Sequence, residues 1–169
     1  EHIIEQVKAN AARHDVPNLH PREYTPKIMV YVGGGPTLRD HLDEVKRKCE
    51  DERYDVYTSN ATCKFLLAKG IKPNFHLILD PTERKVKDLD YEEDVPLVLG
   101  LQCHPALFDR AKEKGVRVHK FLAASVTGED GMSDKEAAKA ALTRDDQHLM
   151  GIGGGSMCGT RMIYYAVAM

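Results

Sequence analysis

The chain has 169 residues, of which 42% are hydrophobic and 30% charged, with a formal net charge of −2. That is the length and composition of one globular domain with a sizeable core, and it excludes a disordered chain, which needs fewer apolar residues and a larger net charge. The charge balance argues against a general nucleic-acid binder. No apolar run approaches the roughly 20 residues that span a bilayer, and Glu1-His2-Ile3-Ile4-Glu5 has no signal-peptide character. Cys49, Cys63, Cys103 and Cys158 form no CxxC pair and fit no common zinc spacing. They read as reduced thiols of a cytoplasmic protein, with Cys103 and Cys158 the two that could lie near a site.

In chain order, residues 3–14 read as a helix with Ile3, Ile4, Val7 and Ala11 on one face. A linker with Pro17, Pro21 and Pro26 follows, so residues 1–26 are expected to precede a domain spanning 27–169. Lys27 to Val32 is a short β-branched run that stops at three glycines, as a buried strand would. Pro36 and Thr37 then open a helix through about Cys49, proline being suited to a first turn whose N–H has no partner. The alternation repeats. Tyr54–Thr58 is a strand, and Ala61–Lys69 a helix ended by Gly70. Phe75–Leu79 is a strand ending at Asp80-Pro81, and Pro96–Leu99 another. Ala106–Lys114 is a helix ended by Gly115, and Val116–Phe121 is a strand. Residues 125–148 read as a charged flap or peripheral helix, with a capping box at Ser133–Glu136. Gly151 to Ser156 runs into an apolar helical pattern. Strands alternating with helices predict an α/β, Rossmann-like, three-layer domain around a mostly parallel sheet of about five or six strands. Residue 1 is not Met and the chain stops at Met169 inside that pattern, so a piece of a longer protein, truncated at the C-terminus, is expected.

Ligands of an open parallel sheet bind beyond the carboxyl ends of its strands. Gly33-Gly34-Gly35-Pro36-Thr37 follows the first strand, where glycine lets backbone and ligand approach and a helix start favours phosphate. The same residues would also serve a tight turn with no ligand. GxGxxG is incomplete, with Leu38 at the third glycine, and the tip of the second strand carries Ser59-Asn60 instead of an acid. That pattern disfavours NAD and weakens S-adenosylmethionine. The chain has no GxxxxGK[ST]. Asn60 suits a ribose or base edge, or a helix cap. Asp80 could hold Mg²⁺ beside substrate phosphates, or simply make a turn. His104 could act as acid or base, or start a helix. His76 and His119, inside strands, read as packing or surface residues. Gly154, Gly155 and Ser156 offer a second anion cradle.

Taken together and in order, these segments resemble a known family. Val32 to Leu38 is similar to a "GxGPSL" opening. Ser59-Asn60-Ala61 through Ala68-Lys69-Gly70-Ile71-Lys72-Pro73-Asn74-Phe75 is similar to an "alkaLlkaGIkPDy" stretch. Leu79-Asp80-Pro81 is similar to "sxDp", and Gly154-Gly155-Ser156 to "GGSV". The chain is identified over about residues 27–169 as resembling the MptE-like domain, named for the archaeal 6-hydroxymethylpterin diphosphokinase, a family that also includes Maf flagellin-modification proteins. The opening and the last helix also resemble bacterial sialyltransferases that bind CMP-sugars, at Gly33–Thr37, Asn60 and Gly154–Ser156. Thr37 departs from the usual Ser, and the segment carrying the sialyltransferase catalytic His would lie beyond Met169. The first likeness implies diphosphoryl transfer from ATP with Mg²⁺ on Asp80; with His104, read from its place after the fourth strand, Asp80 makes the pair of expected catalytic residues. The nucleotide would lie on Gly33, Gly34, Gly35, Pro36, Thr37, Ser59, Asn60, Gly154, Gly155 and Ser156. The second implies a glycosyltransferase with a CMP-sugar donor. In both, the partners are a nucleotide and a small-molecule or glycan acceptor. A third reading is a non-catalytic nucleotide-binding module of a larger, phage or surface-modification, protein.

Overall fold

The computed structural model describes residues 2–13, 15–19, 26–123 and 151–152. Among the described residues, six parallel strands stand in the order β1-β2-β3-β4-β5-β6. They are β1 (Ile28–Val32), β2 (Tyr54–Ser59), β3 (Phe75–Ile78), β4 (Leu97–Gly100), β5 (Val118–Ala123) and the two-residue β6 (Gly151–Ile152). The helices are α1 (His2–Ala11), α2 (Leu42–Glu50), α3 (Ala61–Leu67) and α4 (Pro105–Lys114). The chain thus adopts the α/β class and parallel sheet expected from the sequence. Two helix ends read from sequence hold: Gly70 (φ 71°) and Gly115 (φ 66°) leave α3 and α4 in the left-handed region that glycine tolerates.

Strands in sequence order joined by right-handed crossovers send every connection across the same face. Val30, Val32 and Val56 meet Val45 of α2 and Leu66 of α3, and Ile78, Leu97 and Leu99 meet Leu107 and Phe108 of α4. On the other face Tyr57, Leu77, Val98 and Phe121 cluster with Leu19, which comes from outside the sheet. Among the described residues the helices therefore form one layer of the three expected. Register explains the partition: Tyr57 pairs Phe75 and Leu77 pairs Val98, so alternate residues stay on one face across the sheet.

Three local outcomes differ from the sequence reading. First, the helix expected from Pro36 begins as a 3-10 helix, Pro36–His41, and α2 starts only at Leu42. His41, at φ −117° and ψ 13°, separates the two, and Asp40 and His41 are weak helix formers. Second, Glu83–Leu89 forms a 3-10 helix not read from the sequence, closing Leu89 into the core. Third, α1 is not separate from the α/β body. Asn10 Nδ2 donates to the carbonyls of Leu101 and Cys103 at 2.9 and 2.7 Å. Lys120, only 1% exposed, donates Nζ to the carbonyls of Ala11 and Arg13 at 3.1 and 2.5 Å, at the C-terminal end of α1, where a cation is favoured. Burial pushes the Lys120 ammonium below its usual range.

Candidate functional site

The glycine turn leaves β1 at the carboxyl edge of the sheet. Neither Gly34 nor Gly35 needs its freedom at φ, since neither has a positive φ and Gly35 lies at φ −72°, ψ 158°. Space is the reason at Gly34, where a Cβ would stand 3.0 Å from Thr62 Oγ1 on α3. At Gly35 a Cβ would meet nothing nearer than Thr37 Oγ1 at 4.0 Å, so that side of the turn is open. Leu38 N–H donates to the Gly35 carbonyl at 3.1 Å. The amides of Gly34, Gly35 and Thr37, all exposed residues, are committed to no hydrogen bond among the described residues.

Those glycines form one wall of a cleft of about 520 Å³ between the 3-10 helix and α3. Its size suits a small ligand. Pro36, Leu38 and Arg39 line the near side, and Ala61, Thr62 and Phe65 the far side. Arg39 is exposed and makes no ion pair or hydrogen bond among the described residues, so its charge is available to a ligand. Leu38, Arg39, Thr62 and Phe65 were missed by sequence reasoning. Arg39, in the last turn of the 3-10 helix, and Phe65, one helical turn from Ala61, each read in sequence as an ordinary helix residue. A second cleft of about 500 Å³, lined in part by Lys72, Asn74, Pro96 and Arg117, opens at the amino edge of the sheet, away from where such folds place ligands.

The next two predicted residues take different roles. Ser59 is 5% exposed and shares a 2.6 Å hydrogen bond with the Tyr31 hydroxyl, which commits its side chain within the sheet. Asn60 has φ 50° and ψ −139°, the one non-glycine residue with positive φ among the described residues. Such a conformation costs on the order of 1–3 kcal/mol and persists only where its surroundings over-determine it. Asn60 precedes α3, yet its side chain makes no cap bond to that helix.

Asp80 follows β3 and closes an Asx turn. Its Oδ1 accepts from Thr82 N at 2.9 Å and from Thr82 Oγ1 at 2.6 Å, while Oδ2 lies 3.9 Å from Lys85 Nζ. Partial burial opposes its charge, but the Thr82 bonds and the nearby Lys85 and Arg84 outweigh it and hold the carboxyl below the usual range. Lys85 has a nearer partner in Asp88 at 3.2 Å. No cluster of three or more His, Cys, Asp or Glu exists among the described residues. His104 is the N-cap of α4, its Nδ1 accepting from Ala106 N at 3.3 Å, so in this arrangement its ring proton sits on Nε2. Cys103, read as near a site, is instead a fully buried core residue whose Sγ donates to the Ile78 carbonyl. His76 is fully buried, which settles its choice between packing and surface.

The structure therefore brings Gly34, Gly35 and Pro36 into one cleft and sets Asn60, Asp80 and His104 after successive strands on the same sheet edge. Gly154, Gly155, Ser156, Cys158 and residues 125–148 lie outside the described residues. No helix among the described residues is long and apolar enough to cross a membrane.

No curated protein sequence is significantly similar to the chain. Among solved structures, a Maf glycosyltransferase from Magnetospirillum magneticum AMB-1 shares the fold, with TM-score 0.57 and 18% identity over 72% of this chain. The match spans 20% of that larger protein. The family described as 6-hydroxymethylpterin diphosphokinase MptE-like matches residues 1–169, and the chain belongs to that MptE-like family.

Proposed function

We propose that the chain binds the phosphates of a nucleotide in the Gly34–Gly35 cleft and transfers a diphosphoryl group from ATP to the hydroxymethyl group of a pterin. One observation supports its phosphate-binding part: Gly34 and Gly35, with exposed, uncommitted amides, and Arg39, with its available charge, line the same cleft of about 520 Å³. Backbone N–H groups and a guanidinium are the donors that hold phosphate oxygens. In the reaction the hydroxymethyl oxygen attacks the β-phosphorus of ATP, a new O–P bond forms, the bond to the α-phosphate oxygen breaks, and AMP leaves. The hydroxyl proton passes to solvent. Catalysis of this kind rests on positioning and on neutralising charge.

Asp80 fits a minimal Mg²⁺ site, because that ion takes one or two carboxylates together with phosphate and water. Its Oδ2 lies outside the Thr82 turn, and Lys85 can withdraw to Asp88. Bound there, the ion would neutralise phosphate charge. Arg39 and the turn amides would orient the same phosphates, and His104 would offer its Nε2–H as a donor. Gly154, Gly155 and Ser156 are the expected second cradle.

A second reading, glycosyl transfer from a CMP-sugar, is favoured by the fold likeness to the Maf glycosyltransferase. Calorimetric titration with ATP, CTP, GTP and CMP, with and without Mg²⁺, separates the two. Tight Mg²⁺-dependent ATP binding is the expected result. Metal-independent CMP binding would move the assignment to sugar transfer, and no binding at all would overturn both.

A further inference from the structure

The one non-glycine residue with positive φ among the described residues stands next to the glycine cleft, and a buried side chain grips it. Asn60 lies between β2 and α3, and its own residue type does not force φ 50°. Its neighbour β3 holds it from two sides. Asn60 N–H donates to the Leu77 carbonyl at 3.2 Å, and His76 Nε2 lies 2.9 Å from the Asn60 carbonyl oxygen. Since a carbonyl only accepts, Nε2 carries the proton and Nδ1 is the acceptor. The Tyr91 hydroxyl, 3.1 Å away, then donates to Nδ1. One tautomer satisfies both bonds, so a fully buried imidazole is paired at both nitrogens. Cys63 N–H also reaches the Asn60 carbonyl, at 3.3 Å.

An apolar residue would fill this core position without the cost of burying an imidazole. His76 stands opposite Thr58 and Leu97 in the sheet, on the face covered by α3. What it adds is a donor aimed at the strained turn. We propose that His76, oriented by Tyr91, is a positioning residue that holds the Asn60 turn in its strained conformation and so sets the rim of the nucleotide cleft. Ala61 and Thr62, the residues that follow the turn, line that cleft, so a relaxed Asn60 would move them. Burial pushes His76 down to about 4, which keeps the neutral tautomer in place at physiological pH. This inference rests on the nucleotide reading for its effect on affinity, but its effect on the Asn60 backbone stands apart.

The test uses the full chain with His76→Phe, His76→Gln, Tyr91→Phe and the core control Val118→Ala. Glutamine can place an amide N–H near the Nε2 position, so it should restore what phenylalanine loses. Calorimetry with ATP plus Mg²⁺, and with CMP, reads affinity, and NMR couplings of Asn60 read its φ. We expect His76→Phe to weaken binding at least about tenfold and to shift the Asn60 coupling. His76→Gln should return to within about threefold, Tyr91→Phe should fall between, and Val118→Ala should lower thermal stability while leaving affinity and coupling unchanged. A folded His76→Phe protein with wild-type affinity, or one with an unchanged Asn60 coupling, overturns the proposal. If the unmutated chain binds neither probe, the nucleotide reading fails and the coupling alone judges His76.

Discussion

Gly35 offers a substitution in which stability and binding should part company. Its φ of −72° and ψ of 158° are open to any L-residue, and a Cβ placed there has no neighbour nearer than 4.0 Å. A glycine replaced at such a position usually gains about 0.4–1 kcal/mol, because the unfolded chain loses freedom. Gly35→Ala should therefore hold or raise the unfolding midpoint. Gly35→Val should stay within about 1 kcal/mol of the parent, since its branches project into open cleft rather than into protein. The same branches occupy the space assigned to phosphate. Affinity should fall at least about tenfold for the valine variant, near 1.4 kcal/mol, and less for alanine. Thermal unfolding and calorimetry on the same samples supply both numbers. A stable Gly35→Val protein that binds with parental affinity would refute the claim that this turn faces a ligand. Gly34 is the contrasting position: there the added Cβ meets Thr62 Oγ1 at 3.0 Å, so Gly34→Val should lose stability as well.

Arg39→Ala should weaken nucleotide binding about tenfold with little change in the unfolding midpoint, because Arg39 is exposed and makes no internal pair; the affinity lost should shrink at high salt. Stability should also depend on pH through His76. Burial holds its folded value at about 4, below the 6.5 of a free imidazole, so the unfolded state binds the proton more tightly in that window. The contribution is full above pH 6.5 and is lost as pH falls towards 4, with a ceiling of about 3 kcal/mol by linkage. Urea unfolding at pH 7 and pH 4.5 should show the loss, and His76→Phe should flatten that part of the profile. Lys120→Met should leave carbonyls at the end of α1 unpaired, at about 1–3 kcal/mol, and accelerate amide exchange in α1 before the central strands.

Much of the architecture was legible because its signals are local. Apolar runs of four to six residues, each followed by a helix pattern with a glycine at its end, give parallel βαβ units whatever lies elsewhere in the chain. The 3-10 opening after Pro36 was hidden because proline, threonine and leucine read equally well as the start of an α-helix. Strand order, and with it the single described helical layer, depends on crossovers that no local pattern records. In the site, Gly34 and Gly35 were visible as an excess of glycine over what a turn needs. Arg39 and Phe65 were not, because each is an ordinary helix residue until α3 is packed against the turn. Ser59 looked like a ligand contact from its place at a strand tip, yet Tyr31, 28 residues away in sequence, claims its hydroxyl. His76 shows the same limit, since only the fold brings it to Asn60 and Tyr91.

The central claim is that nucleotide phosphate sits on the glycine turn, and amide chemical-shift mapping during titration with ATP and Mg²⁺ tests it most directly. The account predicts the largest shifts at Gly34, Gly35 and Thr37, extending to Ala61 and Thr62 across the cleft, with Asn74 and Arg117 at the opposite edge unmoved. Shifts centred on that opposite edge, or a glycine turn that stays silent while nucleotide binds, would contradict it.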